Sequence, residues 1–515
     1  MFTDRDGLHA LQVEYSSLDA ESADFDQGLR NAKNLMVERN FEGEITRLTS
    51  LAARLAPQLE AGKVRVALQE LLIAFPVYRT YGYRGALAEQ DRKVLSKAMA
   101  KARLCLEETE AVNLIGRVIG GEIDDEPAFE LRARFQQLSG PVMAKAMEDT
   151  LFYRHNRLLA ANEVGGEPDA EPGGIAAFHQ AMTKRAETQP NALSATATHD
   201  TKRGEDARAR LYTLSEGAGQ WLDAVKRWRK MNEPTLALLP DGVAPEPNVE
   251  WMLYQALAGI WPQVIDNANF EMLGKRFTDY AQKALREAKL RTDWTAPNEE
   301  YERAVIDYAA RLLSPANKAF LDDFRDTVAP FIEAGHVNSL AQTLVKLTAP
   351  GIPDIYQGTE GLDFSLVDPD NRRDIDYRRL LDNAVLRASA KALSPEGSKF
   401  DLVNTVLGFR RANSELFLEG KYIALEVTGP RRDHVLAFAR VLDHKYAVTV
   451  VPRMVFGAIN KQLIKPNFWQ DTNILLPSLF PPTLKDLFTG LAVGTGTLRV
   501  AEVLDNRAVS LLVAT

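Results

Sequence analysis

Apolar side chains recur at helical spacing over much of the first 160 residues. Leu29, Ala32, Leu35 and Met36, for example, are one, three or four residues apart, a spacing that lines one face of an α-helix. Patterns of this kind predict helices over residues 24–59, 64–77, 91–106 and 141–161. We expect Pro141 to occupy the first position of the last of these helices, where proline is favoured.

Two short apolar runs farther along the chain are predicted to be strands that lead into polar loops. The first covers residues 193–198 and precedes a predicted helix over 205–214, and the second covers residues 352–356. Strand, polar loop and helix in this order make up the βα unit of parallel α/β folds. Further helices are predicted over residues 248–261, 275–289, 301–313, 317–334, 339–347 and 402–412.

The pattern changes after residue 420, where β-branched and aromatic residues alternate between turn signals. Strands are predicted over residues 422–427, 434–440, 446–451, 498–503 and 508–513. Such a series is typical of an antiparallel β domain of roughly 95 residues, the size of a small sandwich.

The net charge bears on the classes of partner, and the length bears on the number of domains. The 515 residues include 62 Lys and Arg against 70 Asp and Glu, which gives a net charge of −8. Nucleic acids and anionic membranes both require a basic face, so neither is expected as a partner, whereas a neutral sugar remains possible. At roughly 100–200 residues per domain, two to four domains are expected. No apolar run reaches the length of a membrane-spanning helix.

Cys105 is the only cysteine, so no disulfide can form within the chain and a cytoplasmic location is predicted. We expect Cys105 itself to be a small buried apolar residue. The first residues lack the basic and apolar regions of a signal peptide. Phosphate-loop, dinucleotide-binding, HExxH and CxxC motifs are absent, so neither a cofactor nor a metal site is predicted.

The densest polar cluster, residues 199–203, follows the first predicted strand. In parallel α/β barrels the catalytic groups lie at the C-terminal ends of strands. The carboxylate of Asp200 could stabilise an oxocarbenium-like charge, and the imidazole of His199 could hydrogen-bond sugar hydroxyls. The alternative is that Asp200 is a helix N-cap and that Lys202 and Arg203 are solvated.

Three further clusters contain candidate side chains. Gln357, in the loop after the second predicted strand, could line a sugar cleft, although that strand could equally serve only to close a barrel. Residues 363–373 combine carboxylates and arginines, a composition more typical of an ion-paired surface loop. Lys145, Tyr153 and Arg154 lie on the predicted helix over 141–161, whose polar face could instead be solvated or ion-paired.

Residues 194–210, with the sequence SATATHDTKRGEDARAR, resemble the fourth signature region of the maltooligosyl trehalose synthases, a family of the α-amylase superfamily. The superfamily as a whole shares only the His-Asp pair, whereas the flanking T-H-D-T-K-R-G-E-D-x-R-A-R pattern is far more specific. Other segments similar to the family are residues 75–81, 143–154, 162–166, 254–262, 286–289 with Trp294, and 349–377.

The resemblance implies an intramolecular transglycosylation, in which the reducing-end α-1,4 linkage of a maltooligosaccharide becomes an α,α-1,1 linkage, as in trehalose biosynthesis. No metal or cofactor is implied. Asp200 matches the carboxylate that stabilises the transition state, and His199 matches a histidine that binds the reacting sugar. Substrate-binding roles are expected for Lys145, Tyr153, Arg154, Asn162, Glu163, Lys202, Arg203 and Gln357.

The chain departs from the family pattern in one respect. No predicted barrel strand ends in G-x-R-x-D, and there is no early D-x-x-x-N-H region, whereas the family's nucleophile and general acid lie on earlier barrel strands. We therefore predict an α/β fold that is the C-terminal part of a (β/α)8 barrel with a large, mainly helical insertion, followed by an antiparallel β-sandwich domain. The predicted division is residues 1–190 (mainly helical), 191–415 (last barrel βα units with a helical insertion) and 416–515 (β domain).

Without the nucleophile and the acid, the chain alone should be inactive, and the missing N-terminal barrel portion would be its partner. Two other hypotheses stay open. One is a non-catalytic glucan-binding or assembly module, and the other is a different α-glucan hydrolase or transferase of the superfamily.

Overall fold

The computed structural model describes residues 1–262, 267–388, 394–460, 463–505 and 507–514. Contacts divide the chain into two compact units. The first unit comprises Met1–Leu18, Arg157–Gln282 and Arg303–Thr515, and the second comprises Asp19–Asn156 and Lys283–Glu302. The division into residues 1–190, 191–415 and 416–515 stays a prediction.

The second unit is built from helices. They lie at Ala20–Ala23, Phe25–Leu35, Glu42–Leu55, Ala61–Ala74, Glu89–Arg103, Glu110–Gly120 and Glu126–Met147, with a π-helical turn at Met36–Asn40 and a 3-10 turn at Leu151–Tyr153. Ile45, Leu68 and Phe135 are fully buried in their shared core. The helical spacing of apolar residues that predicts helices over 24–59, 64–77 and 91–106 therefore reflects the faces that pack together.

Two predictions in this unit are wrong. Pro141 lies inside the Glu126–Met147 helix rather than at the start of a helix over 141–161. Leu138 and Val142 flank it and are buried, and such packing outweighs the roughly 3 kcal/mol that an internal proline costs. Cys105 is exposed because it follows the end of the Glu89–Arg103 helix.

The first unit contains a further set of helices. They lie at Arg5–Leu18, Gly174–Thr188, Glu205–Glu216, Ala218–Asn232, Pro247–Ile260, Lys318–Thr348, Tyr377–Ala388, Pro395–Ala412, Ser414–Leu418 and Val500–Val503. Two other helices, Asn267–Ala288 and Glu299–Leu312, contain the positions at which the chain passes between units. Short 3-10 turns lie at Leu159–Ala161, Glu233–Thr235, Pro315–Asn317, Asp370–Arg372, Arg432–His434 and Pro466–Phe468.

Lys318–Thr348 is one helix of 31 residues, where the sequence predicts two helices over 317–334 and 339–347. Gly335 lies between them and interrupts the apolar pattern. A Cβ at this position would lie 2.6 Å from the Cα of Arg210. The absent side chain therefore lets the Glu205–Glu216 helix pack closely against this long helix, which stays continuous through the glycine.

Leu193–Ser194 pairs in parallel with Ile352–Pro353. Both strands are shorter than the predicted 193–198 and 352–356, and Ile352 is exposed rather than buried. The first strand ends at Ser194, and the chain turns at residues 198–201. A separate antiparallel hairpin pairs Ala237–Leu239 with Gly242–Ala244.

The described strands after residue 420 form antiparallel sheets, as predicted. In spatial order, the largest sheet contains Ala492–Gly494, Thr483–Asp486, Ser510–Ala514, Lys445–Pro452, Val435–Leu442 and Lys421–Ala424. Smaller sheets contain Thr497–Arg499, Asn473–Leu475 and Glu426–Thr428, and Leu463–Ile464 with Ile459–Asn460. The predicted strand over 498–503 is wrong in its last four residues, which are the Val500–Val503 helix.

The chain contains both helices and strands, as predicted, while the partial barrel and the sandwich stay predictions. Across the described ranges, no helix combines the length and the apolar character needed to cross a bilayer.

Candidate functional site

Residues 198–201 form a tight turn in the first unit. Thr201 Oγ1 donates to the carbonyl oxygen of Thr198 at 2.9 Å, and the backbone NH of Asp200 donates to Thr198 Oγ1 at 3.2 Å. His199 and Asp200 are both exposed, and neither side chain has a hydrogen-bonding partner among the described residues. The turn thus presents a carboxylate and an imidazole to solvent from adjacent positions.

Asn371, in the polar cluster at residues 363–373, holds this turn. Its Nδ2 lies 3.3, 3.1 and 3.2 Å from the carbonyl oxygens of Thr198, His199 and Thr201. The hydroxyl of Tyr356 donates to the carbonyl oxygen of Asn371 at 3.1 Å. The three sequence clusters around residues 199, 357 and 370 therefore meet at the Asn371 backbone and side chain.

Asp370 in turn holds the loop that carries Asn371. Arg276 contacts both of its carboxylate oxygens, with two N–O distances of 2.8 Å. The backbone NH of Leu366 donates to Asp370 at 2.7 Å, and Arg373 Nε lies 3.0 Å from Asp370 Oδ1. The loop over 363–373 is ion-paired, as its composition suggests, and it also fixes the backbone that carries His199.

Glu163 and Arg208 clamp the two ends of the candidate segment. Glu163 Oε1 accepts from the backbone NH of Lys202 at 2.8 Å, and Oε2 accepts from Arg208 Nη1 at 2.7 Å. Arg208 also donates to the carbonyl oxygens of Arg203, at 2.7 Å, and of Thr196. Both carboxylate oxygens of Glu163 are thus engaged by protein donors.

Lys202 and Arg203 are buried, with only 4% and 3% of their surface exposed. Arg203 donates to the carbonyl oxygen of Leu159 at 3.2 Å and to the hydroxyl of Tyr280 at 2.8 Å. The N-cap of the next helix is Gly204. The alternative of an Asp200 N-cap beside solvated Lys202 and Arg203 is therefore wrong.

A group of four buried charges lies at the start of this helix. Lys399 Nζ is 2.7 Å from Glu205 Oε1 and 2.6 Å from Asp206 Oδ2, and Lys346 Nζ is 3.1 Å from Glu205 Oε2. Asp206 Oδ2 also accepts from the backbone NH of Asp363 at 2.6 Å. These contacts tie the Lys318–Thr348 and Pro395–Ala412 helices to the residues that follow the turn.

Burial and charge act in opposite directions on these groups. Burial alone raises the pKa of Glu205, but the nearby ammonium groups of Lys399 and Lys346 outweigh it and lower the pKa to about 2. Burial also raises the pKa of Asp206, and the charge of Glu205 adds to that rise. The pKa of Lys399 is raised because its two carboxylate partners outweigh its own burial. These shifts favour the charged forms of Glu205 and Lys399 and disfavour the charged form of Asp206.

The other predicted site residues lie in different surroundings. In the second unit, Lys145 Nζ is 2.6 Å from Asp149 Oδ2, Tyr153 is buried, and Arg154 Nε donates to the carbonyl oxygen of Ala288 at 2.6 Å. In the first unit, Asn162 is buried directly before Glu163, and Gln357 is exposed in the turn after Tyr356. Their substrate-binding roles stay predictions.

Sequence reasoning missed Asn371 as an organising residue, and it missed Lys346 and Lys399 altogether. Asn371 lies within the family-like segment 349–377, so that segment was a usable signal. The two lysines come from helices whose pattern gives no sign of a buried ammonium group. Within the described residues, no group of three or more His, Cys, Asp or Glu side chains could hold a metal ion.

No protein-family model matches the chain. A curated protein of Mycobacterium tuberculosis named as a maltooligosyl trehalose synthase is 40% identical over 324 residues, which cover 63% of this chain and 39% of that protein. The solved maltooligosyltrehalose synthase of Arthrobacter ramosus is 29% identical with a TM-score of 0.81, and the match covers 100% of this chain and 62% of the other.

A solved hypothetical maltooligosyl trehalose synthase of Sulfolobus tokodaii shares the fold, with a TM-score of 0.74 at 24% identity, over 100% of this chain and 60% of that one. The chain thus spans about two fifths of its curated relative and about three fifths of these solved structures. The predicted resemblance to the maltooligosyl trehalose synthases is confirmed.

Proposed function

We propose that this chain contributes to an intramolecular transglycosylation that turns the reducing-end α-1,4 linkage of a maltooligosaccharide into an α,α-1,1 linkage. The observation that carries the proposal is the turn at residues 198–201, which exposes Asp200 and His199 on a backbone fixed by Asn371. The similarity to maltooligosyl trehalose synthases supports the type of reaction.

In this proposal Asp200 stabilises the oxocarbenium-like transition state, and His199 hydrogen-bonds hydroxyls of the reacting sugar. Both side chains are free to do so because no described residue occupies them. A retaining transfer also needs a nucleophile and a general acid about 5–5.5 Å apart. We assign those two carboxylates to the N-terminal part of the barrel, outside these 515 residues, which by themselves would not catalyse the transfer.

The engaged residues around the turn take supporting roles. Glu163 has both carboxylate oxygens bound by protein donors, and Lys202 and Arg203 are buried. We therefore assign them to positioning the turn rather than to direct sugar contact. Lys145, Tyr153, Arg154, Asn162 and Gln357 remain proposed substrate-binding residues on the strength of the resemblance.

The finer features of the fold belong to the same proposal. The parallel pair of Leu193–Ser194 and Ile352–Pro353 would be adjacent strands of a (β/α)8 barrel, residues 1–190 a helical insertion, residues 191–415 the last barrel units, and residues 416–515 a β-sandwich. An exposed lone thiol, Cys105, is compatible with a reducing cytoplasm.

The test is a time course of maltopentaose followed by NMR. The chain alone should give no product, whereas addition of the part of the Arthrobacter ramosus enzyme that the chain does not match should yield an α,α-1,1 anomeric signal. Asp200→Asn should lower that rate by at least about 100-fold. Product from the chain alone would contradict the assignment of the nucleophile and acid to residues outside these 515.

Two other outcomes would support the competing hypotheses. Glucan binding without product, even in the mixture, would favour a non-catalytic glucan-binding or assembly module. Glucose or shorter maltooligosaccharides as the main products would favour another α-glucan hydrolase or transferase. If the mixtures with wild-type chain and with Asp200→Asn convert maltopentaose at the same rate, Asp200 does not have the proposed role.

A further inference from the structure

Tyr81 and Tyr83 in the second unit are among the most exposed aromatic residues of the described chain, with 75% and 70% of their surface accessible. Between and beside them burial alternates, since Thr80 is fully buried and Gly82 is half-buried. Tyr81 and Tyr83 are thus alternate exposed side chains, and alternate side chains of an extended segment lie about 6.5–7 Å apart on one side. We name this pair the tyrosine platform.

The backbone under the platform is held rigidly. The NH of Tyr81 donates to Asp91 Oδ2 at 2.9 Å, and Gln136 both accepts from the NH of Gly82 at 2.7 Å and donates to its carbonyl oxygen at 2.8 Å. Arg132 Nη1 donates to the carbonyl oxygen of Tyr83 at 2.6 Å. A fixed backbone lowers the entropy that the platform would lose on binding.

Each tyrosine ring has one neighbouring side chain that orients it. The guanidinium of Arg79 lies 4.7 Å from the ring centroid of Tyr81. Tyr83 meets Phe129 edge to face, with ring centroids 5.3 Å apart. Each contact uses only part of its tyrosine, and the measured exposure leaves the remaining surface open to solvent.

Two of the arginines around the platform are paired with carboxylates. Arg84 is 3.1 Å from Glu126, and Arg132 is 3.0 Å from Asp124. A nucleic acid could also stack on tyrosines, but it would need an excess of positive charge. Exposed rings beside ion-paired, hydrogen-bonding surroundings instead suit a neutral ligand with apolar C–H faces and many hydroxyls, which is a pyranose chain.

We propose that Tyr81 and Tyr83 form an accessory binding site for α-1,4-glucans in the second unit, whose binding does not depend on the His199–Asp200 turn. The choice of an α-glucan, rather than another sugar chain, rests on the proposed function. Consecutive rings of the glucan would stack on the two tyrosines, so the site would favour long chains over short ones.

Affinity electrophoresis of the full chain through gels containing amylose tests this. Tyr81→Ala combined with Tyr83→Ala should raise the apparent Kd for amylose about tenfold, because each lost ring contact is worth a few-fold in affinity. The double Tyr→Phe variant keeps both rings and should be retarded like the wild type. Tyr377→Ala is the matched control, since Tyr377 is an exposed tyrosine (67%) in the first unit.

The proposal is overturned if amylose does not retard the wild-type chain, or if the double alanine variant is retarded as strongly as the wild type. It is also overturned if Asp200→Asn abolishes retardation and the double alanine variant does not, since binding would then occur at the turn. If maltopentaose is not converted but amylose still retards the wild type more than the double alanine variant, only the proposed reaction is contradicted.

Discussion

Glu163 and Arg208 form an ion pair of 2.7 Å in which only 15% and 8% of the two side chains are exposed. The same carboxylate accepts from the backbone NH of Lys202, and the same guanidinium donates to the carbonyl oxygen of Arg203. A single nearly buried pair thus determines the path of the chain between the exposed Asp200 and the helix that begins at Glu205.

Glu163→Gln should therefore destabilise the first unit by about 3 kcal/mol, because it leaves the Arg208 guanidinium buried without its anion. The amide oxygen can still accept from Lys202, so the turn should be loosened rather than lost. Thermal unfolding measures the effect. Glu167→Gln, an exposed glutamate in the same loop, is the control, and equal melting temperatures for the two variants would refute the clamp.

The helices were largely predictable because their apolar faces repeat at a local period that the sequence displays directly. Glu205–Glu216, for instance, begins at the residue where its prediction begins. Pro141 and Gly335 misled the prediction because local preferences were outweighed by packing with residues far away in sequence. At the site, His199 and Asp200 could be identified from their local sequence, but the residues that hold them could not.

What holds the His199 turn could not be predicted from local pattern. Asn371 reaches it across 172 residues, and Lys399 reaches Glu205 across 194. A lysine in a helix is usually solvated, so nothing near position 399 indicates that its ammonium group is fully buried between two carboxylates. Such contacts depend on the tertiary fold, which determines which charges meet.

Lys399→Met should be among the most destabilising single substitutions in the first unit. It leaves the carboxylates of Glu205 and Asp206 buried and close together with only Lys346 to compensate, at a cost of about 3–5 kcal/mol. Denaturant unfolding checks this, with the half-exposed Lys445→Met as control. Nearly equal midpoints would mean that the cluster contributes little to stability.

Glu216 gives the protein a pH-dependent stability. Burial raises the pKa of Glu216 to about 7, although the backbone NH of Phe456 and the charge of Arg453 act in the opposite direction. An unfolded glutamate titrates near ~4.3, so between these values the folded protein keeps a proton that the unfolded chain releases. Stability from this group is therefore full at low pH and is lost as pH rises towards about 7.

Glu216→Gln should flatten that dependence, because the amide stays neutral and can still accept from Phe456 through its oxygen. At pH 8 the variant should gain up to roughly 3 kcal/mol over wild type, and at pH 4.5 the two should be nearly equal. Melting temperatures across this range decide it. A parallel pH profile for both proteins would show that Glu216 is ionised in the fold at neutral pH.

Asn371→Asp tests whether the candidate turn needs its amide donor. The variant keeps the size of the side chain but replaces Nδ2 with a carboxylate oxygen, which repels the carbonyl oxygens of Thr198, His199 and Thr201 that now lie 3.1–3.3 Å from it. Loss of one buried donor costs about 1–3 kcal/mol. Because the turn loses this donor, we expect faster amide exchange at residues 198–201, which include His199 and Asp200.

The same variant should lower the rate of maltopentaose conversion in the complemented mixture without weakening retention on amylose, since the tyrosine platform lies on a different part of the chain. Amide hydrogen exchange and the NMR assay together separate these effects. Unchanged exchange at the turn would mean that the contacts within it, such as that between Thr201 and Thr198 at 2.9 Å, suffice to hold it. Unchanged conversion with faster exchange would mean instead that catalysis tolerates a mobile Asp200.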